Sequence, residues 1–307
     1  MATPMKQPLV LFALAILLPP IAAAHDSPEH VVEMLTARME MVGERADLLC
    51  RRATEYRALG NLSAAAHDLN RAIKLQPHEV SPLIDLSRVQ LAQGQRRRAL
   101  ATTERALKMV SDEPGRAPLR MIRAEIFSET GEPGKALAEC DLALQNATGT
   151  ELDWYLTRSQ IQCRLGRFND AVAGLKQGFE LTGSAVLEVE CIDALIDAGR
   201  FSEALEKIEP ALADSRWQSS WLLRRARVRL GCGEISSAHA DLLAAIRELN
   251  QRLQSPAPDA MLLADRGLAY ALCGDVTMAR RDLSAAKKLG ADAGTLRRLE
   301  VAVAARR

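Results

Sequence analysis

Residues 53–77 read ATEYRALGNLSAAAHDLNRAIKLQP. Ala53 and Tyr56 stand three apart, Gly60 follows, and Ala65, Leu69 and Ala72 then come at steps of four and three, which keeps them on one face of a helix. Pro77 stops the run. The stretch predicts a helix, a glycine turn and a second helix. Glycine suits the turn because it enters positive φ without steric cost and so closes the first helix. The small alanine slots let the two helices approach, and the larger residues fill the space beside them.

The same register returns along the chain. Gly60, Gly94, Gly131, Gly166, Gly199, Gly233 and Gly274 are spaced by 34, 37, 35, 33, 34 and 41 residues. Five residues after each stands an alanine: Ala65, Ala99, Ala136, Ala171, Ala204, Ala238 and Ala279. A helix pair of this length cannot bury both apolar faces alone, so successive pairs must stack. Composition agrees: fifty alanines and only 4% aromatic residues favour helix and speak against a β-sandwich or barrel. With 40 Lys plus Arg against 39 Asp plus Glu, the chain lacks the basic excess of a dedicated nucleic-acid binder.

The period and the small, large, Gly, Ala, large, Ala slots resemble the tetratricopeptide repeat family. Ile192 departs from a small slot, and Gln90, Gln162 and Arg229 depart from large ones. The resemblance implies an all-α, right-handed superhelical solenoid of about seven helix-turn-helix units over residues 46–293. Their expected bounds are near 46–79, 80–113, 117–150, 152–184, 185–218, 219–252 and 260–293. Ser27-Pro28-Glu29 is a helix-start signal that opens an expected capping helix in 25–45. A basic, solvating helix is expected over 294–307. Two insertions break the register, around Ser111 to Arg116 and from Arg252 to Asp259.

The N-terminus carries Lys6, an apolar run from Leu9 to Leu18, two prolines and Ala22-Ala23-Ala24. A run this short fits a secretory signal peptide over 1–24 better than a membrane span. Export to the periplasm of a bacterium or beyond, with no membrane insertion after cleavage, is the expectation. Six cysteines would then meet an oxidising compartment. Cys140 and Cys191 fall on packing positions, and buried thiols are expected rather than bridges. Asn61-Leu62-Ser63 and Asn146-Ala147-Thr148 are glycosylation acceptors in pattern only.

The chain carries no Gly-rich phosphate loop, no His-Glu-x-x-His pair, no Gly-x-Ser-x-Gly elbow and no Cys-x-x-Cys. It is expected not to be an enzyme and to need no cofactor. The residual metal candidate is His25, which signal cleavage would place at the mature N-terminus beside Asp26 and His30. The leading expectation is a protein-interaction scaffold for a protein or peptide partner. An N-terminal metal binder and a self-assembling solenoid are the competitors.

In the family, the first helices of successive repeats line a groove that holds a peptide or helix. Projected here, that groove would carry Arg51, Arg57, Arg88, Glu125, Gln160, Glu190, Asp193, Arg224 and Arg227, alternating in charge. Such a pattern would fix a partner's register. The family's carboxylate clamp has no counterpart, because its slots hold Cys50, Thr54 and Asp85. The expected groove is poor in aromatic anchors.

Overall fold

The computed structural model describes residues 27–305 apart from 148, 150, 256 and 292. The segment 1–24 expected to be a signal peptide, His25 with Asp26, the Thr148 end of the second glycosylation pattern, Pro256 and the terminal arginines lie outside the described residues. Among the described residues the secondary structure is entirely helical. The packing parts into two compact units between Gln93 and Gly94, a division that the even register did not announce.

The first unit holds α1 (Pro28–Val42), α2 (Ala46–Ala58), α3 (Leu62–Leu75) and α4 (Ser81–Ala92). Ser27 caps α1, its hydroxyl accepting from the His30 amide, with Pro28 at the first helical position. Leu35 and Met39 of α1 pack against Leu48, Leu49 and Ala72.

The second unit begins with α5 (Arg96–Met109), α6 (Glu113–Glu129), α7 (Pro133–Gln145), α8 (Leu152–Arg164) and α9 (Phe168–Thr182). It continues through α10 (Ala185–Asp197), α11 (Phe201–Asp214), α12 (Ser219–Gly231) and α13 (Ile235–Arg252). Then come α14 (Ala260–Cys273), α15 (Val276–Lys288) and α16 (Ala293–Ala304). The insertion expected around Ser111 to Arg116 is mostly helix: Asp112 caps α6 by accepting from the Gly115 amide at 2.8 Å, and Glu113 to Arg116 form its first turn. At Arg252 the extra residues lengthen α13 to 18 residues.

The seven turn glycines have φ between 71° and 92°, the left-handed conformation that a side chain resists. The alanine five residues beyond each is fully buried in every copy. Leu69, Leu175, Ile208 and Leu242 fill the neighbouring slots at 1% exposure or less, each contributing about 1.5–3 kcal/mol of apolar burial. Of the departures, Ile192 and Gln162 are buried and Arg229 donates to Asp241 at 2.7 Å.

A polar register runs inside this apolar one. Arg52 Nε and Nη2 donate to the two oxygens of Asp68 at 2.7 and 2.9 Å. Arg225 grips Asp241 in the same forked way at 2.9 and 2.8 Å, and Arg266 grips Asp282 at 2.8 and 2.7 Å. Arg123 donates to Glu139 at 2.6 Å. Each arginine precedes its acid by 16 residues, and each acid stands three after the buried alanine. These pairs clip the two helices of one repeat together, and forked arginine-carboxylate pairs are the stronger kind. In the fourth pair the acidic slot holds Gly174, and Arg158 turns to Asp141 at 2.8 Å instead.

All six cysteines are thiols rather than disulfides. Burial pushes the Cys140 thiol up to about 12, which makes it inert at neutral pH. Among the described residues no helix is long and apolar enough to cross a membrane.

Candidate functional site

The first helices of the last four pairs, α8, α10, α12 and α14, stand side by side, with α10 between α8 and α12. Their common face carries a cavity of about 610 Å³. The apolar part of its lining comes from Leu156 of α8, Val186 and Val189 of α10, Trp221 and Leu223 of α12, and Met261 and Leu268 of α14. Val186 and Met261 are exposed at its rim. Thr295 and Arg298 of α16 complete the lining, because α16 packs on α14 and α15.

The charged part of the lining centres on Asp193, which is 2% exposed. Arg224 Nη2 donates to its Oδ2 at 2.8 Å, and Arg227 Nη1 donates to its Oδ1. Arg298 Nη2 approaches Oδ2 at 3.6 Å. Around this centre Arg298 donates to both oxygens of Glu190 at 3.3 Å. Arg227 Nη2 reaches Asp197 at 2.7 Å, and Arg297 reaches the other Asp197 oxygen at 3.2 Å.

Burial alone would push the Asp193 carboxyl up. The charges of Arg224, Arg298 and Arg227 and the Arg224 hydrogen bond outweigh it, so the carboxyl sits well below the usual range. Burial works against the charge on Arg298, but Asp193 and Glu190 hold its guanidinium protonated. The Arg224 guanidinium also lies 5.4 Å from the Trp221 ring centre, within cation–π range. A second cavity of about 310 Å³ shares Arg227, Leu268 and Arg298 with the first.

Of the residues expected in a partner groove, the structure brings Gln160, Glu190, Asp193, Arg224 and Arg227 to this one cavity. Arg51, Arg57 and Arg88 belong to the first unit, where Arg51 and Arg88 are exposed and Arg57 faces Asp85 at 3.7 Å. Glu125 lies half-buried on α6. The expectation that these charges face a partner is corrected at Asp193, whose carboxylate is buried against three arginines. Among the described residues that line the cavity Trp221 is the single aromatic, in keeping with an aromatic-poor groove.

Sequence reasoning passed over Trp221, Met261 and Val186, and it read Arg297 and Arg298 as solvated. The Arg-to-acid spacing of 16 residues was a legible signal for the clips. Nothing local marks the pairing of α16 with α10. Among the described residues no group of His, Cys, Asp and Glu is arranged to hold a metal ion.

Residues 84–150 match the tetratricopeptide repeat family directly. A tetratricopeptide repeat protein from Parabacteroides merdae superposes with a TM-score of 0.58 at 18% identity, over 84% of this chain and 98% of that one. Human IFIT1, solved as a dimer with PPP-AAAA, gives 0.51 at 16% identity over 86% and 70%. A chain of the APC/C hetero-tetramer Cut9–Hcn1 gives 0.51 at 17% over 90% and 53%. No curated protein matches the chain in sequence. The fold is thus a solenoid of helix-turn-helix repeats. Residues 84–150 carry tetratricopeptide repeats, and the likeness in fold extends over 84% of the chain.

Proposed function

We propose that this protein is a non-enzymatic interaction scaffold that seats a partner peptide or helix on the face formed by α8, α10, α12 and α14. The observation that carries the reading is the cavity of about 610 Å³ on that face, walled by apolar side chains from four successive repeats. Its size falls in the range of roughly 300–1,000 Å³ typical of ligand sites. The family and the protein assembly formed by Cut9–Hcn1 are in keeping with it. The apolar run from Leu9 to Leu18 ahead of Ala22-Ala23-Ala24 supports action in an exported compartment, and N-terminal sequencing of the protein from its source cell, expected to begin at His25, tests that.

The occupant on this reading is protein and not nucleic acid, although human IFIT1 is seen with PPP-AAAA. The arginines at this cavity face Glu190, Asp193 and Asp197 rather than an open surface, and the chain has no basic excess. Titration with PPP-AAAA at low salt is expected to show no binding.

The test of the scaffold is site-specific photocrosslinking in the source cell. A photoreactive residue at Met261 or Val186, both exposed at the rim, is expected to capture a discrete protein. The same residue at Leu243, exposed on α13, serves as control. No protein adduct at either rim position would overturn the reading.

A further inference from the structure

The charges of this cavity are spent on one another. Both oxygens of Asp193 and both oxygens of Glu190 already accept from arginine. Asp197 is held by Arg227 and Arg297. A charged side chain entering such a site would lose its hydration and find no vacant counter-charge, and an uncompensated buried charge is costly. Most of the surface that remains is apolar, from Leu156, Val186, Val189, Trp221 and Met261, with Asp265 beside them. Trp221 is held in place by the Arg224 guanidinium over its ring, so it offers a rigid aromatic wall with little ordering cost. The alternating charges expected from the linear sequence to set a partner's register are the internal frame of the pocket.

Resting on the scaffold reading above, we infer that the partner segment is recognised by a cluster of uncharged aliphatic or aromatic side chains seated in this cavity. Charge matching to Glu190, Asp193, Arg224 and Arg227 plays no part. The volume of about 610 Å³ accommodates several such side chains together, as an amphipathic helix would present them at i, i+3 and i+4. Affinity therefore comes from apolar area and changes little with ionic strength, since salt screens charges and leaves apolar burial intact.

The experiment selects a phage-displayed random peptide library on the full chain, then titrates the enriched synthetic peptides by fluorescence anisotropy in low and high salt. The expected peptides carry clustered Leu, Ile, Phe or Trp, and their Kd moves less than about twofold over the salt range. Binding falls at least tenfold in Met261→Asp and in Val186→Asp, two exposed positions where a carboxylate leaves the fold intact, as circular dichroism would verify. Peptides rich in charge, with binding that weakens tenfold or more in salt and survives Met261→Asp, would overturn the inference while leaving the scaffold reading standing. Enriched peptides that ignore both rim substitutions and salt would place binding elsewhere and overturn both.

Discussion

Replacing Asp193 by alanine removes the centre of the ion network and leaves three arginines with one acceptor fewer. The carboxylate is 2% exposed, and the side chains of Arg224, Arg227 and Arg298 are 14%, 12% and 10% exposed. Breaking a buried pair from one side costs about 3–5 kcal/mol. The arginines keep a little solvent, Arg298 retains Glu190, Arg227 retains Asp197 and Arg224 retains the Ser220 carbonyl, so the expected loss is at the lower end, about 3 kcal/mol. A stacked array need not unfold in one step, so native-state hydrogen exchange in α10 and α12 is the proper readout. The loss corresponds to amide opening that is faster on the order of a hundredfold.

Arg224→Met in the same background should shrink that penalty, because the cation that loses its Asp193 partner is then no longer left stranded. The pH dependence follows from the lowered carboxyl. A depressed pKa contributes stability that is fully present above the unfolded value of about 3.9 and is lost as pH falls through the folded value. Wild type should therefore keep its α10 protection unchanged from neutral pH down to about pH 5 and lose it only in strong acid. A penalty for Asp193→Ala below about 1 kcal/mol, the size seen for exposed pairs, would refute the argument that this cluster frames the pocket.

The forked clips give a contrast: Asp282→Ala, which strips Arg266 of a buried acceptor, should cost about 2–3 kcal/mol in urea denaturation. Asp47→Ala on the exposed pair with Arg45 should leave the curve unchanged. Gly178→Ala should destabilise by about 1–3 kcal/mol, because a Cβ there would lie 2.8 Å from Tyr155 Cγ and 2.9 Å from Leu187 Cδ1; a melting temperature equal to wild type would contradict the packing. Among the thiols, exposed Cys232 should react first with a disulfide reagent at pH 8, while Cys140, raised to about 12 by burial, should react only on unfolding, as peptide mapping after alkylation would show.

The repeat register was legible because each of its parts is local. Gly60 and its six counterparts, the alanines five residues on and the caps at Ser27 are decided by φ, by helical periodicity and by side-chain volume within a few turns. Even the clips are local in this sense, since 16 residues is the fixed distance between facing positions of one helix pair. The extra turn at Glu113 was missed because a broken period looks the same whether the additional residues form a loop or lengthen a helix.

The candidate site is another matter. Arg298 and Glu190 meet across 108 positions of sequence, and no periodicity carries that information. On the sequence Glu190, Asp193, Arg224 and Arg227 are charges on helices, equally at home in water or in a partner's groove. Stacking four repeats and closing them with α16 buries Asp193, which forces those charges to satisfy one another. The class of fold follows from the residue pattern alone, because helix pairing is set by near neighbours. That the conspicuous charges frame a pocket whose open walls are Val186, Trp221 and Met261 emerges with the packed stack, because burial is a property of the stack and of no single repeat.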